Sequence, residues 1–449
     1  MAVRYQDALA RIQTRADYGR GFVSDPFWGD EAARVGLRRM ASLLERLGRP
    51  ELRYPIVHVA GSKGKGSVCA FAASILTAAG YRVGATTSPH LHTFRERIVV
   101  GGQMITEEAF ASLVVRSDSD ATFLEDEYPE LGRFTAFELL TAMALTHFAA
   151  SGCDVAVVEV GMGGSLDSTN VVTPAVSVIT TLDYEHTAVL GSTLAEIAAN
   201  KAGIIKPGRP VAVAEQQPEA LAVIEAEARW NESPLGLAGR DWRVEGDWRR
   251  FAAVGPWGSL EELRTGIAGC HQMANAALAL AAVTAAGEGF DVPAAAVRYG
   301  IGSAALPGRF EVVMVDEHTL VLDGAHTPLA ATALAETFLE AFPGRRAVLV
   351  LGLAEDKRVE EIVTALAPIS ARVVATAAAS PRAMETGRIV EAFQRYTAGV
   401  EEAQSVAEAL AMARRVASTE NPIVITGSFH VVSEAREAFG LAVSDFTAL

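Results

Sequence analysis

Cysteine is scarce, with three residues in a chain of 449. Cys69, Cys153 and Cys270 are odd in number, far apart and set among small apolar neighbours, which argues for buried thiols and against a disulfide framework or a cysteine metal site. An excess of positive charge is also missing. Against 54 Asp and Glu stand 39 Lys and Arg, a formal net charge of -15, so neither nucleic acid nor an anionic membrane is expected as the main partner, although a local basic pocket remains compatible with it. No apolar run is long enough to span a bilayer. The most apolar stretch, 267–287, is interrupted by His271, Gln272 and Asn275 and reads as a buried helix. The first residues mix charges throughout and lack the apolar core of a secretory signal, so the chain is expected to stay in the cytosol. What is present is half hydrophobic and only 21% charged, a globular composition too long for one core.

Residues 1–50 read as helices, with Leu37, Met40, Leu43, Leu44 and Leu47 at helical spacing before Gly48 and Pro50. From residue 57 apolar strands alternate with helices: strands at 57–60, 81–87, 154–160, 176–181 and 210–214, and helices after residue 67, at 134–150 and at 193–202. Such alternation implies a parallel α/β sheet with ligands at the carboxyl ends of its strands. Residues 88–97, SPHLHTFRER, lack either period and read as a long functional loop. A Trp-rich segment at 235–260 reads as a small antiparallel appendage, and 301–310, with Gly302, Pro307 and Gly308, as a linker. Beyond it the pattern restarts, with strands near 320–322, 347–351, 372–376 and 423–426, as a second, smaller α/β domain.

The stretch VHVAGSKGKGSVC, 57–69, is strand, glycine loop and helix in succession. Glycines let backbone N–H groups approach an anion, the helix N-terminus adds positive potential, Lys65 can reach terminal phosphates and Ser67 can ligate magnesium. A strict phosphate-loop pattern is not met, because Gly66 separates Lys65 from Ser67, and the loop alone is compatible with a kinase, a GTPase or an ordinary glycine turn. A second glycine loop, GMGGSLDSTN, follows residue 160, and a dinucleotide reading of it fails because Leu166 stands where a third glycine is needed. Glu159 and His186 lie at or after strand ends. With the Ser67 hydroxyl they form a donor set able to hold a divalent cation against phosphates.

Taken together, HVAGSKGKGS (58–67), TSPHL (87–91), FTAFE (134–138), VEVGMGGSLDSTN (158–170), EHTAVLG (185–191), NKAGI (200–204), LPGRFE (306–311), LDGAHTP (322–328) and TGSFH (426–430) resemble, in order, the folylpolyglutamate synthase and dihydrofolate synthase family of the Mur ligase superfamily. The inserted Gly66 is that family's own variant of the loop. The resemblance implies a P-loop parallel-sheet ATPase domain at 1–303, carrying the appendage, followed by a smaller Rossmann-like α/β domain at 304–449. It implies that Gly61, Ser62, Lys63, Gly64, Lys65, Gly66 and Ser67 hold ATP phosphates, and that Ser67, Glu159 and His186 bind magnesium. Lys201 is implied to be carbamylated, placing a second magnesium. Asn275 and Arg309 are implied as adenine and phosphate contacts, and Asp323 with His326 as a pair acting on the nucleotide. For a pterin substrate it points to the 88–97 loop, with Ser88, Pro89 and Arg97, and to Thr135, Phe137 and Asp167.

The implied reaction is ATP-dependent addition of L-glutamate to dihydropteroate, to folates, or to both, through an acyl phosphate, by a monomer whose partners are small molecules. Two positions depart from the family's pattern: Ser165 replaces a common arginine, and Thr327 replaces an asparagine while remaining able to cap a helix. Ser165 leaves open a related ligase with a non-pterin acceptor, and a non-catalytic ATP-binding homologue is the third reading.

Overall fold

The computed structural model describes residues 4–15, 30–287 and 289–445, the side chains of 30–34 and 188 excepted. The helical reading of residues 1–50 corresponds to Tyr5–Thr14 and Asp30–Arg46, with 16–29 outside the described residues. Two compact units emerge. The first takes in Met1–His90, Phe94–Arg264 and Met273–Ala304, and the second Leu91–Thr93, Thr265–Gln272 and Ala305–Leu449.

In the first unit Ile56–Ala60 (β1) is buried along its whole length, as a strand covered on both faces must be. Val83–Thr86 (β2), Val99–Val100 (β3), Gln103–Met104 (β4), Val155–Glu159 (β5), Val176–Ile179 (β6), Val211–Val213 (β7) and Leu235–Leu237 (β8) complete an eight-stranded sheet ordered β4-β3-β2-β5-β1-β6-β7-β8. Pairing from β2 to β8 is parallel, and β3 and β4 add an antiparallel edge. Register matters for function. Val59 of β1 lies opposite Glu159 of β5, so the carboxylate sits at the strand end that feeds the first glycine loop. The appendage expected at 235–260 is shifted: Leu235–Leu237 belongs to the parallel sheet, and the antiparallel piece is Arg243–Asp247 (β9), Arg250–Gly255 (β10) and Gly258–Leu263 (β11). Three apolar residues at an edge carry too little pattern to reveal their partner strand.

Two long helices escape the periodicity argument. In Glu107–Glu127 the buried stripe is Phe110, Ala111, Val114, Ser117, Ala121 and Leu124, half of it small or polar, so the helical period is faint in composition although Thr106 caps it. Pro218–Trp230 is the other. The expected linker at 301–310 begins later, because residues to Ser303 form the last turn of Ala294–Ser303.

In the second unit Glu311–Val315 (β12), His318–Leu322 (β13), Ala347–Leu351 (β14), Ser370–Ala375 (β15), Val400–Glu402 (β16) and Ile423–Thr426 (β17) form a sheet ordered β12-β13-β17-β14-β15-β16, parallel except at β12. Continuous apolar strands give this sheet two dry faces. Leu349, Leu351, Val373 and Val424 enter one core, and Val348, Val350, Val374, Ile423 and Ile425 the other. The short segment Leu91–Thr93 is fastened here. Ser433 Oγ donates to Leu91 O at 2.9 Å, Arg436 Nε to His92 Nε2 at 3.1 Å, and Asp445 N to His92 O at 2.9 Å. Among the described residues no helix is long and apolar enough to cross a membrane, and none of the three cysteines is in a disulfide.

Candidate active site

The first glycine loop is tied down before any ligand enters it. Ser62 N and Lys63 N donate to Thr181 O, and Ser62 Oγ donates to Asp183 O at 2.9 Å. Gly61 has φ 147°, and a Cβ there would lie 1.8 Å from Thr180 Oγ1, so no other residue fits. Gly64, at φ 87°, precedes the helix Lys65–Ala78, and a Cβ on it would lie 2.6 Å from Asn275 Oδ1, which places Asn275 against the loop. Lys65, Gly66 and Ser67 are then the first three helical residues, whose N–H groups have no acceptor within the helix.

Two lysines converge on one carbonyl. Lys65 Nζ donates to Gly61 O at 2.9 Å, and Lys201 Nζ donates to the same oxygen at 2.8 Å. Lys201, 1% exposed, also pairs with Glu185 Oε1 at 2.8 Å. Burial and the charge of Lys65 push the Lys201 amine down to about 8 against the pull of Glu185. Glu185 shows the converse: burial would raise it, but Lys201, Lys65 and Lys63 together hold it below the ordinary value. Residue reasoning from the sequence missed Glu185, although it stands beside His186 in EHTAVLG.

Ser67 and Glu159 are 4% and 5% exposed. Glu159 Oε2 accepts from Ser88 N at 2.9 Å, and the field of Glu159 and Lys65 reaches the buried Cys69 thiol, which burial chiefly holds well above its ordinary pKa. His186 adopts a left-handed conformation, φ 47°, at the head of the short turn Thr187–Leu190 and is exposed. Among the described residues no three His, Cys, Asp or Glu side chains converge as a preformed metal cluster. The donor set of a buried hydroxyl and a buried carboxylate is hard oxygen, which suits magnesium, an ion that retains several waters.

A small cavity in the same unit brings Ser88, Arg97 and Phe137 together with Glu159 and Thr169. Gly161 packs against one of its lining residues, since a Cβ there would lie 2.5 Å from the Phe137 ring. The cavity lining includes neither Pro89, which follows a cis peptide bond, nor Thr135 nor Asp167. Thr135 is occupied as a helix cap: its Oγ1 accepts from Glu138 N at 3.2 Å, while Glu138 Oε2 accepts from Thr135 N and Arg39 holds the same carboxylate. Asp167 is occupied in its own loop. It accepts from Met162 N and Thr169 N, each at 2.9 Å, and from Thr169 Oγ1 at 2.5 Å, and burial raises its pKa against those donors. Ser165, the departure from the family pattern, donates through Oγ to Asn200 O at 2.7 Å, on the residue before Lys201.

In the second unit Asp323 accepts from Phe310 N at 2.7 Å and Ala325 N at 2.8 Å, and burial pushes its pKa up while Arg309 opposes the shift. His326 Nδ1 lies 2.7 Å from Gly324 O, so that nitrogen carries the hydrogen. Phe429 meets both neighbours: the Arg309 guanidinium is 4.3 Å from its ring centre, and the His326 ring is edge-on at 5.9 Å. Thr327 caps the helix Pro328–Ala341, its side chain accepting from Ala330 N. Phe429 was not singled out in the sequence, although TGSFH contains it.

The Mur ligase middle domain pattern matches residues 59–283, and the Mur ligase glutamate ligase domain pattern matches 308–429. The dihydrofolate synthase/folylpolyglutamate synthase of Bacillus subtilis is 35% identical over 97% of this chain and 99% of its own length. Among solved structures, Mycobacterium tuberculosis folylpolyglutamate synthase complexed with ADP superposes with a TM-score of 0.86 at 32% identity, covering 97% of this chain and 99% of that one. Escherichia coli FolC in complex with DHPP and ADP does so with a TM-score of 0.82 at 32% identity, with the same coverage.

Proposed function

The chain belongs to the folylpolyglutamate synthase/dihydrofolate synthase family of Mur ligases, and we propose from that premise that it is an ATP-dependent ligase adding L-glutamate to dihydropteroate, to the glutamate tail of folates, or to both. It is an enzyme that forms carbon–nitrogen bonds. The observation that carries the residue assignment is the convergence of Lys65 and Lys201 on Gly61 O at the head of a helix.

A carboxylate is a poor electrophile and does not condense with an amine in water. ATP removes this obstacle by transferring its terminal phosphoryl group to the acceptor carboxylate; the glutamate amine then attacks the acyl carbon and phosphate leaves. Lys65 leaves Gly61 O to meet the terminal phosphate and stabilises charge on the migrating group, while the N–H groups of the first helical turn, which have no acceptor within the helix, hold the other phosphates. Asn275 borders the nucleotide. Ser67, Glu159 and His186 would hold magnesium, which when bound offsets phosphate charge. Arg97 and Phe137 contact the acceptor beside Ser88. Asp323, His326 and Arg309 are assigned to the nucleotide and the reacting groups, and Phe429 packs against both the Arg309 guanidinium and the His326 ring.

A lysine amine lowered to about 8 has a neutral fraction near neutral pH, as attack on carbon dioxide to form a carbamate requires. Carbamylation of Lys201 would release Glu185 and add a carboxylate for a second magnesium. A carbamate carbon signal after incubation with 13C-bicarbonate, absent from Lys201→Met, would support this assignment; no signal in the unaltered chain would sink it.

The whole proposal is tested by ADP release and product mass spectrometry with magnesium, glutamate, ATP and either dihydropteroate or tetrahydrofolate. Glutamate-extended pterins are the expected products. Turnover confined to a non-pterin acid, or ATP binding without turnover on any acceptor, would overturn it. Light scattering should find a monomer.

A further inference from the structure

His58 is the one polar side chain of β1, at the centre of the eight-stranded sheet and 0% exposed. An aliphatic residue would suit that position without desolvation cost, yet the imidazole is kept there with its Nδ1 lacking any partner. Its Nε2 lies 2.8 Å from Thr169 Oγ1. Thr169 has a single hydroxyl hydrogen, which goes to Asp167 Oδ1 at 2.5 Å, so its oxygen must accept from His58 Nε2–H. Asp167 then grips the loop backbone through Met162 N and Thr169 N. Three buried side chains therefore run from the middle of the sheet to the second glycine loop. That loop places Gly161 against Phe137, and Thr169 itself lines the cavity with Ser88, Arg97 and Glu159.

We infer that His58 and Thr169 are positioning residues for the acceptor: the chain His58–Thr169–Asp167 fixes the second glycine loop against Phe137 and so sets the shape of the acceptor cavity. The inference rests on the ligase reading above. Neither residue touches reacting atoms. Their effect belongs to acceptor binding and not to ATP, whose loop is held by Thr181 and Asp183 instead.

The test compares Michaelis constants for acceptor, ATP and glutamate in Thr169→Val, Thr169→Ser, His58→Leu and the unaltered chain. Thr169→Val keeps the shape and removes the hydroxyl, breaking the chain at both of its hydrogen bonds; the acceptor KM should rise about tenfold, with the other two constants within about twofold. Thr169→Ser should restore the acceptor KM, and His58→Leu should reproduce the rise from the other end of the chain. Equal rises in all three constants, or an unchanged acceptor KM in folded Thr169→Val, would overturn the inference. Absence of turnover with every pterin acceptor in the unaltered chain is a failure of the ligase reading instead. Histidine-selective 15N NMR decides the hydrogen-bond chain independently of turnover. A neutral His58 carrying its hydrogen on Nε2 supports it, and one carrying it on Nδ1 overturns it.

Discussion

The phosphate loop of the first unit and the Asp323 turn of the second build their polar centres in opposite senses. In the first a backbone carbonyl, Gly61 O, collects two lysine side chains; in the second a side-chain carboxylate, Asp323, collects two backbone N–H groups. The first arrangement stores cations that side-chain rotation can redirect to an anion. The second fixes the path of the chain. Substitutions in the first should therefore alter chemistry at little structural cost, and substitutions in the second should cost stability first.

The largest effect is expected for Lys65→Ala, which should lower kcat by about 10²–10³, the scale of one lost charge-stabilising donor, while leaving the melting temperature within about 2 °C. Stopped turnover with unchanged melting supports the contrast; a variant that unfolds would break it. Next is the pH dependence of Lys201. Its folded pKa, about 8, lies below the ordinary 10.5, so between these values the unfolded chain binds more protons and stability rises with pH; below about 8 the penalty is fully present. Relative to Lys201→Met, the unaltered chain kept free of carbon dioxide and bicarbonate, so that Lys201 stays an amine, should gain about 3 kcal/mol across that window in chemical denaturation. A flat difference would mean that the amine does not titrate, as a carbamate would not. In the second unit Asp323→Ala should cost about 2 kcal/mol by leaving Phe310 N and Ala325 N unpaired, and Asp323→Asn should recover part of it through its remaining carbonyl. Loss of turnover without loss of stability would remove the distinction between the units. The smallest effect is expected for Ser165→Ala, about 1 kcal/mol for one hydrogen bond to Asn200 O, with the KM for ATP unchanged.

Legibility in the sequence followed the range of the interactions. The alternation of strands and helices was readable because a strand buried on both faces is a continuous apolar run, as in VAVVE and AVLVL. The first glycine loop was readable because its glycines and lysines are neighbours. The Lys201–Gly61 bond spans 140 positions, and only family resemblance pointed to that lysine. Glu185 and Phe429 were inside quoted motifs, but a carboxylate beside a histidine and a phenylalanine before another carry no signal until the fold supplies their partners. Thr135 shows the reverse. Family resemblance pointed to it only as a substrate contact, with its spacing to Glu138 passed over, and the structure gives its hydroxyl the local task of a capping box. Leu235–Leu237 could be read as strand, but which sheet it joins depends on β7.

The membership of Leu91–Thr93 and Thr265–Gln272 in the second unit bears on modularity. The chain changes unit at residues 91, 94, 265, 273 and 305, so neither unit corresponds to one contiguous stretch. A fragment starting at residue 305 would lack Leu91 and Ala268, each of which packs against one of the two cores flanking the second sheet. Recombination by a single crossover near that point would therefore transplant an incomplete core, and a chimera preserves it only if the two inserted segments come from the same parent as the sheet they cover.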